Sequence, residues 1–188
     1  MKSMTKRLLA ALLAVAALFA LAGCSKSDKA DAAPKDYTKI LHDARPDEDN
    51  EYYMIFSPGE DGKFTAQYGY SDSYDAAQLD EEIRNMLLPL LNLEEDMYTD
   101  FAASVSGMMV QSYGIAIVKP AEGKQQAVSE ALDAYVQSQM QSMEHYLEDQ
   151  YQIAASSHIS TASTGEVILV CCENPEAVMN AIKTALAA

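Results

Sequence analysis

The amino-acid sequence predicts an α+β domain: a mainly antiparallel sheet with a long helix and a C-terminal helix packed on one face. Three observations carry that expectation. Tyr113-Gly114-Ile115-Ala116-Ile117-Val118 and Glu166-Val167-Ile168-Leu169-Val170-Cys171-Cys172 are apolar runs of strand length, rich in β-branched residues. Between them Val128, Leu132, Val136, Met140, Met143 and Leu147 recur at helical spacing, forming one apolar stripe opposite Ser, Gln and Glu. After the second run, Asn174-Pro175-Glu176 opens a helix with a cap, a proline whose missing N–H costs nothing, and an acid at the positive end of the dipole. The order strand, long helix, strand, strand, helix fits helices layered on a sheet.

The elements follow in chain order. Tyr37 to Ala44 reads as a short helix, stopped by Arg45-Pro46 because the residue before proline avoids helical backbone. Tyr52 to Phe56 and Lys63 to Tyr70 read as strands of a hairpin, joined through the turn formers Ser57-Pro58-Gly59-Glu60-Asp61-Gly62. Asp75 to Leu88 is helical in pattern, with Leu79, Ile83, Met86 and Leu87 on one side before Pro89 interrupts it. A second short helical run spans Glu94 to Ala102. Val105 to Val118 is rich in strand formers, and Gly114 within it marks a bulge or a close backbone approach. Lys119-Pro120-Ala121-Glu122 starts the long helix, which is expected to run to about Asp149. Ile153 to Thr161 alternates weakly, Ser163-Thr164-Gly165 is a turn, and Glu166 to Cys172 suits a central strand covered on both sides. Val178, Ala181, Ile182, Ala185 and Leu186 give the last helix its apolar face.

The first residues read as an address rather than as fold. Lys2, Lys6 and Arg7 precede an uncharged stretch from Leu8 to Leu21, shorter than the roughly 20 residues a spanning helix needs and suited to a signal peptide over residues 1–23. It ends in Leu21-Ala22-Gly23-Cys24, the form of a lipobox. Leu21 would fill an apolar pocket, Ala22 and Gly23 would admit a peptidase, and the Cys24 thiol would take the lipid. Two or three acyl chains, at about 0.8 kcal/mol per buried methylene, would anchor the chain stably where one would be marginal. Residues 24–36, small, charged and containing Pro34, read as the lipidated cysteine and a flexible tether reaching about 20 Å on average. Residues 37–188 form the expected single domain. The expected location is the outer face of the cell membrane, lipid-anchored.

The 188-residue chain carries 13 Lys and Arg against 28 Asp and Glu, net −15. Loss of residues 1–23 removes three bases and no acids, leaving 10 against 28, net −18. Such acidity argues against nucleic acid as a partner and against docking on anionic lipid, both of which need clustered Lys and Arg.

Tyr113 to Pro120, the Gln/Glu-rich helix ending in Met143-Glu144-His145-Tyr146-Leu147, the Thr164-Gly165-Glu166-Val167 turn and the final helix together resemble a known family. It is the Gram-positive lipoprotein family catalogued as domain of unknown function 4358, and the resemblance covers roughly Asn92 to Leu186. It implies a lipid-anchored extracytoplasmic domain and carries no reaction, ligand or catalytic residue.

No motif supplies chemistry. Cys171 and Cys172 are neighbours on one strand, so they face opposite ways and read as inert small hydrophobes. His42, His145 and His158 fall on separate elements without metal-ligand spacing. The acidic groups Asp47-Glu48-Asp49, Asp72/Asp75, Asp80-Glu81-Glu82 and Glu94-Glu95-Asp96 lack the EF-hand pattern. Ser156, Ser157 and His158 are adjacent, but successive strand side chains diverge. No metal, cofactor or catalytic residue is therefore assigned. With 11 Tyr, 4 Phe and no Trp, the chain concentrates tyrosine before its first long helix, and Tyr53, Tyr68 and Tyr70 are the candidate contact surface. The sequence thus points to a non-catalytic binding domain of the cell envelope, engaging a protein or glycan. A small-ligand or calcium-binding accessory lipoprotein is the alternative, and an envelope hydrolase comes third.

Overall fold

In the computed structural model, which describes residues 34–188, the Asp36 carboxylate caps helix α1 (Tyr37–Ala44) by accepting from the Lys39 backbone N–H at 2.9 Å. Arg45-Pro46 ends that helix in extended backbone, and a short helix α2 (Asp47–Tyr52) follows. Strands β1 (Ile55–Pro58) and β2 (Phe64–Gln67) form the expected hairpin, shorter than the sequence suggests because Tyr52 belongs to α2 and Gly69–Ser73 curl into a 3-10 turn. Helix α3 (Ala76–Glu82) starts at Asp75 with a reciprocal capping box to Gln78. It widens into a π turn at Ile83–Leu87 just ahead of Pro89, whose ring and missing N–H disrupt the regular ladder.

Strands β3 (Tyr98–Val105) and β4 (Gly114–Pro120) then form a long hairpin. Helix α4 (Gln125–Met143) and helix α5 (Glu148–Ala155) precede β5 (His158–Thr161), β6 (Val167–Cys171) and helix α6 (Pro175–Ala187). The strands make one sheet in the order β2-β1-β3-β4-β6-β5, every neighbouring pair antiparallel.

The α+β class and antiparallel sheet are as the sequence predicts, but the layers differ. The long helix and the C-terminal helix take opposite faces. Val128, Leu132 and Tyr135 of α4 pack with Phe101, Ala116, Val118, Leu169 and Cys171. Val178, Met179 and Ile182 of α6, with Leu41 of α1, pack on Ile115, Ile117, Ile168 and Val170. The reason lies in the strands: Ile115 to Val118 and Val167 to Cys171 are apolar at every position, so both faces of the sheet need cover.

Other boundaries move for local reasons. The helix expected over Glu94 to Ala102 is a turn, with the Met97 N–H donating to Glu94 O at 3.0 Å, followed by β3. The strand-forming run from Val105 to Val118 is broken at 106–113, where the chain reverses. The long helix begins at Gln125, because β4 continues through Pro120, and it stops at Met143. Ile153 to Ala155 belong to α5 rather than to a strand. Asn174 precedes α6 in left-handed backbone (φ 55°) without donating or accepting a side-chain cap bond, so Pro175 alone sets that helix start. Gly114 is a site of close approach: a Cβ there would lie 2.6 Å from the Tyr135 hydroxyl.

Leu21, Ala22, Gly23 and Cys24 lie outside the described residues. Among the described residues, no helix is long and apolar enough to cross a membrane.

Candidate functional site

Strand register sorts the molecule into two ends. Ile55, Gln67, Val105, Gly114, Cys171 and His158 lie at one end; Pro58, Phe64, Pro120, Val167 and Thr161 lie at the other. Helix α1 connects them. At its start the Tyr37 hydroxyl donates to Glu166 Oε1 at 2.9 Å, and Lys35 Nζ donates to the Leu186 carbonyl. Past its last turn Arg45 reaches Ser104 and Tyr113. The chain therefore enters the domain at the Glu166 end, about 20 Å of strand length from the Gly114 end.

Arg45 organises the Gly114 end. It is 5% exposed, and each of its three nitrogens donates: Nε to Asn50 Oδ1 at 2.6 Å, Nη1 to Ser104 Oγ at 2.7 Å and Tyr113 Oη at 3.2 Å, Nη2 to the Tyr53 carbonyl at 2.6 Å. Asn50 in turn donates to the His42 carbonyl at 3.0 Å, closing α1 against α2. A guanidinium offers five donors in a fixed fork, and here neutral acceptors hold the fork in place.

Beside this hub lies a cleft of about 240 Å³. Glu48 and Asp49 of α2, Tyr53, Ser112, Tyr113 and Glu173 line it, together with Gln111, Gln150 and Asn174. The Tyr53 and Tyr113 rings stack at 3.8 Å between centroids. Burial pushes the Asp49 carboxyl above its ordinary range against the pull of the Tyr113 hydroxyl and the Arg45 charge, and Glu173 and Glu48 push it further. Burial first, then neighbouring Asp49, raises the Cys172 thiol to about 12, so it stays protonated near neutrality. Ser112 is 2% exposed; its N–H donates to Gln150 Oε1 at 2.9 Å, and its hydroxyl has no hydrogen-bond partner among the described residues.

At the same end the turn between β3 and β4 carries Met108, Met109 and Val110 into solvent at 57%, 87% and 50% exposure. The sequence-derived contact residues divide here. Tyr70 is exposed and tilts against exposed Tyr52 at 6.4 Å. Tyr68 is half-buried, its ring tilted against His42 with centroids 4.2 Å apart, and held at φ 66°, a backbone region that favours glycine. Tyr53 is half-buried in its stack on Tyr113, so it belongs to the cleft wall.

The remaining candidates are structural in their placement. Cys171 joins the cluster under α4 and Cys172 the cluster under α6, both as free thiols. Ser156 and Ser157 hydroxyls both donate to the Ile153 carbonyl, at 3.0 and 3.4 Å. Asp80 accepts from the Phe64 N–H at 2.7 Å and from Arg84 at 3.3 Å. No group of three or more His, Cys, Asp or Glu that would hold a metal ion occurs among the described residues.

The sequence profile described as domain of unknown function (DUF4358) matches residues 71–173, more than half of the chain. The chain belongs to that family. The match takes in α3, which the resemblance read from Asn92 onward left out, and it stops just ahead of α6. No curated protein and no solved structure matches the chain. The DUF4358 segment supplies Ser112, Tyr113, Cys172 and Glu173 of the cleft; Glu48, Asp49 and Tyr53 come from the part before it.

Sequence reasoning passed over Ser112 and the Met108–Val110 turn, took Arg45 only as part of a helix stop, and met Asp49 only within the acidic run Asp47-Glu48-Asp49. For the turn a signal existed, because Gly107 precedes the three apolar residues and Gln111-Ser112 follows them. For Arg45 none did: its partners Ser104 and Tyr113 are 59 and 68 positions away.

Proposed function

We propose that this DUF4358 protein is a lipid-anchored, extracytoplasmic domain of the cell envelope that acts by binding a partner protein rather than by catalysis. The observation that carries the reading is the Met108-Met109-Val110 turn, an exposed apolar tip at the end of the sheet opposite Lys35. Scattered exposed apolar residues need no explanation, but three consecutive ones on a hairpin tip mark a contact. Tyr52 and Tyr70 are exposed at the same end and supply flat amphipathic faces of the kind that anchor interfaces.

Photo-crosslinking in intact cells tests the reading. A crosslinker at Met109 should yield discrete protein adducts, whereas one at exposed Thr164, on the Lys35 end, should not. Cys24→Ala should move the chain from the membrane fraction to the soluble one. Equal adduct patterns from both positions, or membrane retention of Cys24→Ala, would overturn the proposal.

A further inference from the structure

Sulfur is unevenly placed in this fold. Cys171 and Cys172 are buried free thiols whose burial raises them, so neither offers a thiolate to an oxidant near neutrality. Met143 and Met179 belong to the core, at 1% and 5% exposure. Met108 and Met109 are the opposite case: consecutive, 57% and 87% exposed on the hairpin tip, and members of neither core cluster. Other atoms hold the turn that carries them. The Met108 N–H donates to Ser106 Oγ at 3.2 Å, the Gln111 N–H to the Met108 carbonyl at 3.3 Å, and the Ser106 N–H to the Tyr113 carbonyl at 3.0 Å. Both thioethers are thus free to change polarity without disturbing the packing or the hydrogen bonds of the turn.

We propose that Met108 and Met109 are a modification site at which a peroxide switches the contact tip off. The inference rests on the reading of that tip as the partner-binding surface. At each residue the thioether sulfur attacks the peroxide, and the O–O bond breaks as an S–O bond forms. Sulfur is oxidised by two electrons to the sulfoxide, and hydrogen peroxide's second oxygen leaves as water. A flexible apolar side chain, well suited to an interface, becomes a polar one. A partner's apolar surface would then have to strip water from two sulfoxide oxygens without returning a hydrogen bond. The step runs backwards with a thiol reductant, two thiols becoming a disulfide and the oxygen leaving as water, so the tip can be restored. Met86 is 56% exposed on the π turn of α3, where it is open to the same oxidation but lies outside the tip, so it serves as the control.

Hydrogen peroxide treatment of the purified full chain, followed by peptide mass spectrometry, tests where the oxygen goes. Met108 and Met109 should convert at least about tenfold faster than Met143 and Met179, because susceptibility follows exposure, and the thermal midpoint should not move. Urea should erase the difference in rate. The effect on contact is read in intact cells with a photo-crosslinker at Val110, the third exposed residue of the tip. A brief peroxide pulse should lower protein adducts at least about fivefold in the parent and in Met86→Leu. Adducts should persist in Met108→Leu/Met109→Leu, whose tip stays apolar but has no thioether to oxidise; that comparison also separates a change at the tip from damage to the partner. Tip methionines that oxidise no faster than the buried pair, unfolding on their oxidation, or the same peroxide response in the parent and the double variant would each overturn the switch. No adducts even before peroxide would instead sink the contact reading on which it rests.

Discussion

Gly114 offers the sharpest test of how the sheet and the long helix fit together. A methyl group at this position would stand 2.6 Å from Tyr135 Oη, 2.7 Å from Cε1 and 2.9 Å from Cζ, where non-bonded carbons rest about 3.5–4.0 Å apart. The ring cannot swing clear. Tyr135 is 1% exposed within the cluster under α4, and its hydroxyl donates to the Tyr113 carbonyl at 2.8 Å. Gly114→Ala must therefore displace a fully packed ring, at about 1–3 kcal/mol for overpacking, and break or bend that hydrogen bond, at about 0.5–1.5 kcal/mol. The total is about 2–4 kcal/mol, or roughly 5–15 °C in melting temperature for a domain of this size. Urea titration followed by circular dichroism, read as a change in midpoint at constant slope, measures it. Tyr135→Phe alone should cost only the hydrogen bond. In Gly114→Ala/Tyr135→Phe the two costs should sum to less than the separate values, because both act on one ring. A Gly114→Ala protein within about 0.5 kcal/mol of the parent would refute the packing argument.

Three further outcomes follow from the same geometry. Arg45→Met should lower stability by about 2–4 kcal/mol, since Ser104, Tyr113, Asn50 and the Tyr53 carbonyl all lose a donor, and Arg45→Lys should recover little of it; denaturant midpoints decide. The Glu166 carboxyl is raised by its burial but held below its ordinary value of 4.5 overall by hydrogen bonds from Thr164, its own backbone and Tyr37. A depressed carboxyl stabilises above its unfolded value and that contribution fades as pH falls through the folded one, so stability should drop below about pH 4.5 and the drop should be shallower in Tyr37→Phe. In a Cys24→Ala chain, Cys171 and Cys172 should resist a thiol reagent at pH 8 until urea unfolds the domain, because both are buried and raised; prompt labelling of the native chain would contradict their placement.

The sequence made the two central strands and the flanking helices legible because their burial leaves a periodic trace. β4 and β6 read as continuous apolar runs, and α1 was bounded by Arg45-Pro46. β3 was not legible: Glu94-Glu95-Asp96 looks like the acidic first turn of a helix, and only pairing of Phe101 with Val118 and Ala103 with Ala116 makes the following residues a strand. The two-sided layering was implicit in the strand runs, yet helix periodicity alone does not say which face a helix takes. The cleft was least legible, since its polar contacts join Arg45 to Ser104 and Tyr113, and Gln150 to Ser112, across spans that no local pattern records. Tyr53 and Tyr70 were both singled out because tyrosine is conspicuous, but sequence does not separate an exposed ring such as Tyr70 from one that packs, as Tyr53 does on Tyr113.

The sheet ends on both sides in strands of four residues, β2 and β5, with Thr65, Gln67, His158 and Thr161 turned to solvent. Rims this brief and this polar give an incoming strand little to zip onto. Copies crowded side by side in a plane would therefore stay individually folded instead of fusing edge to edge into fibrils.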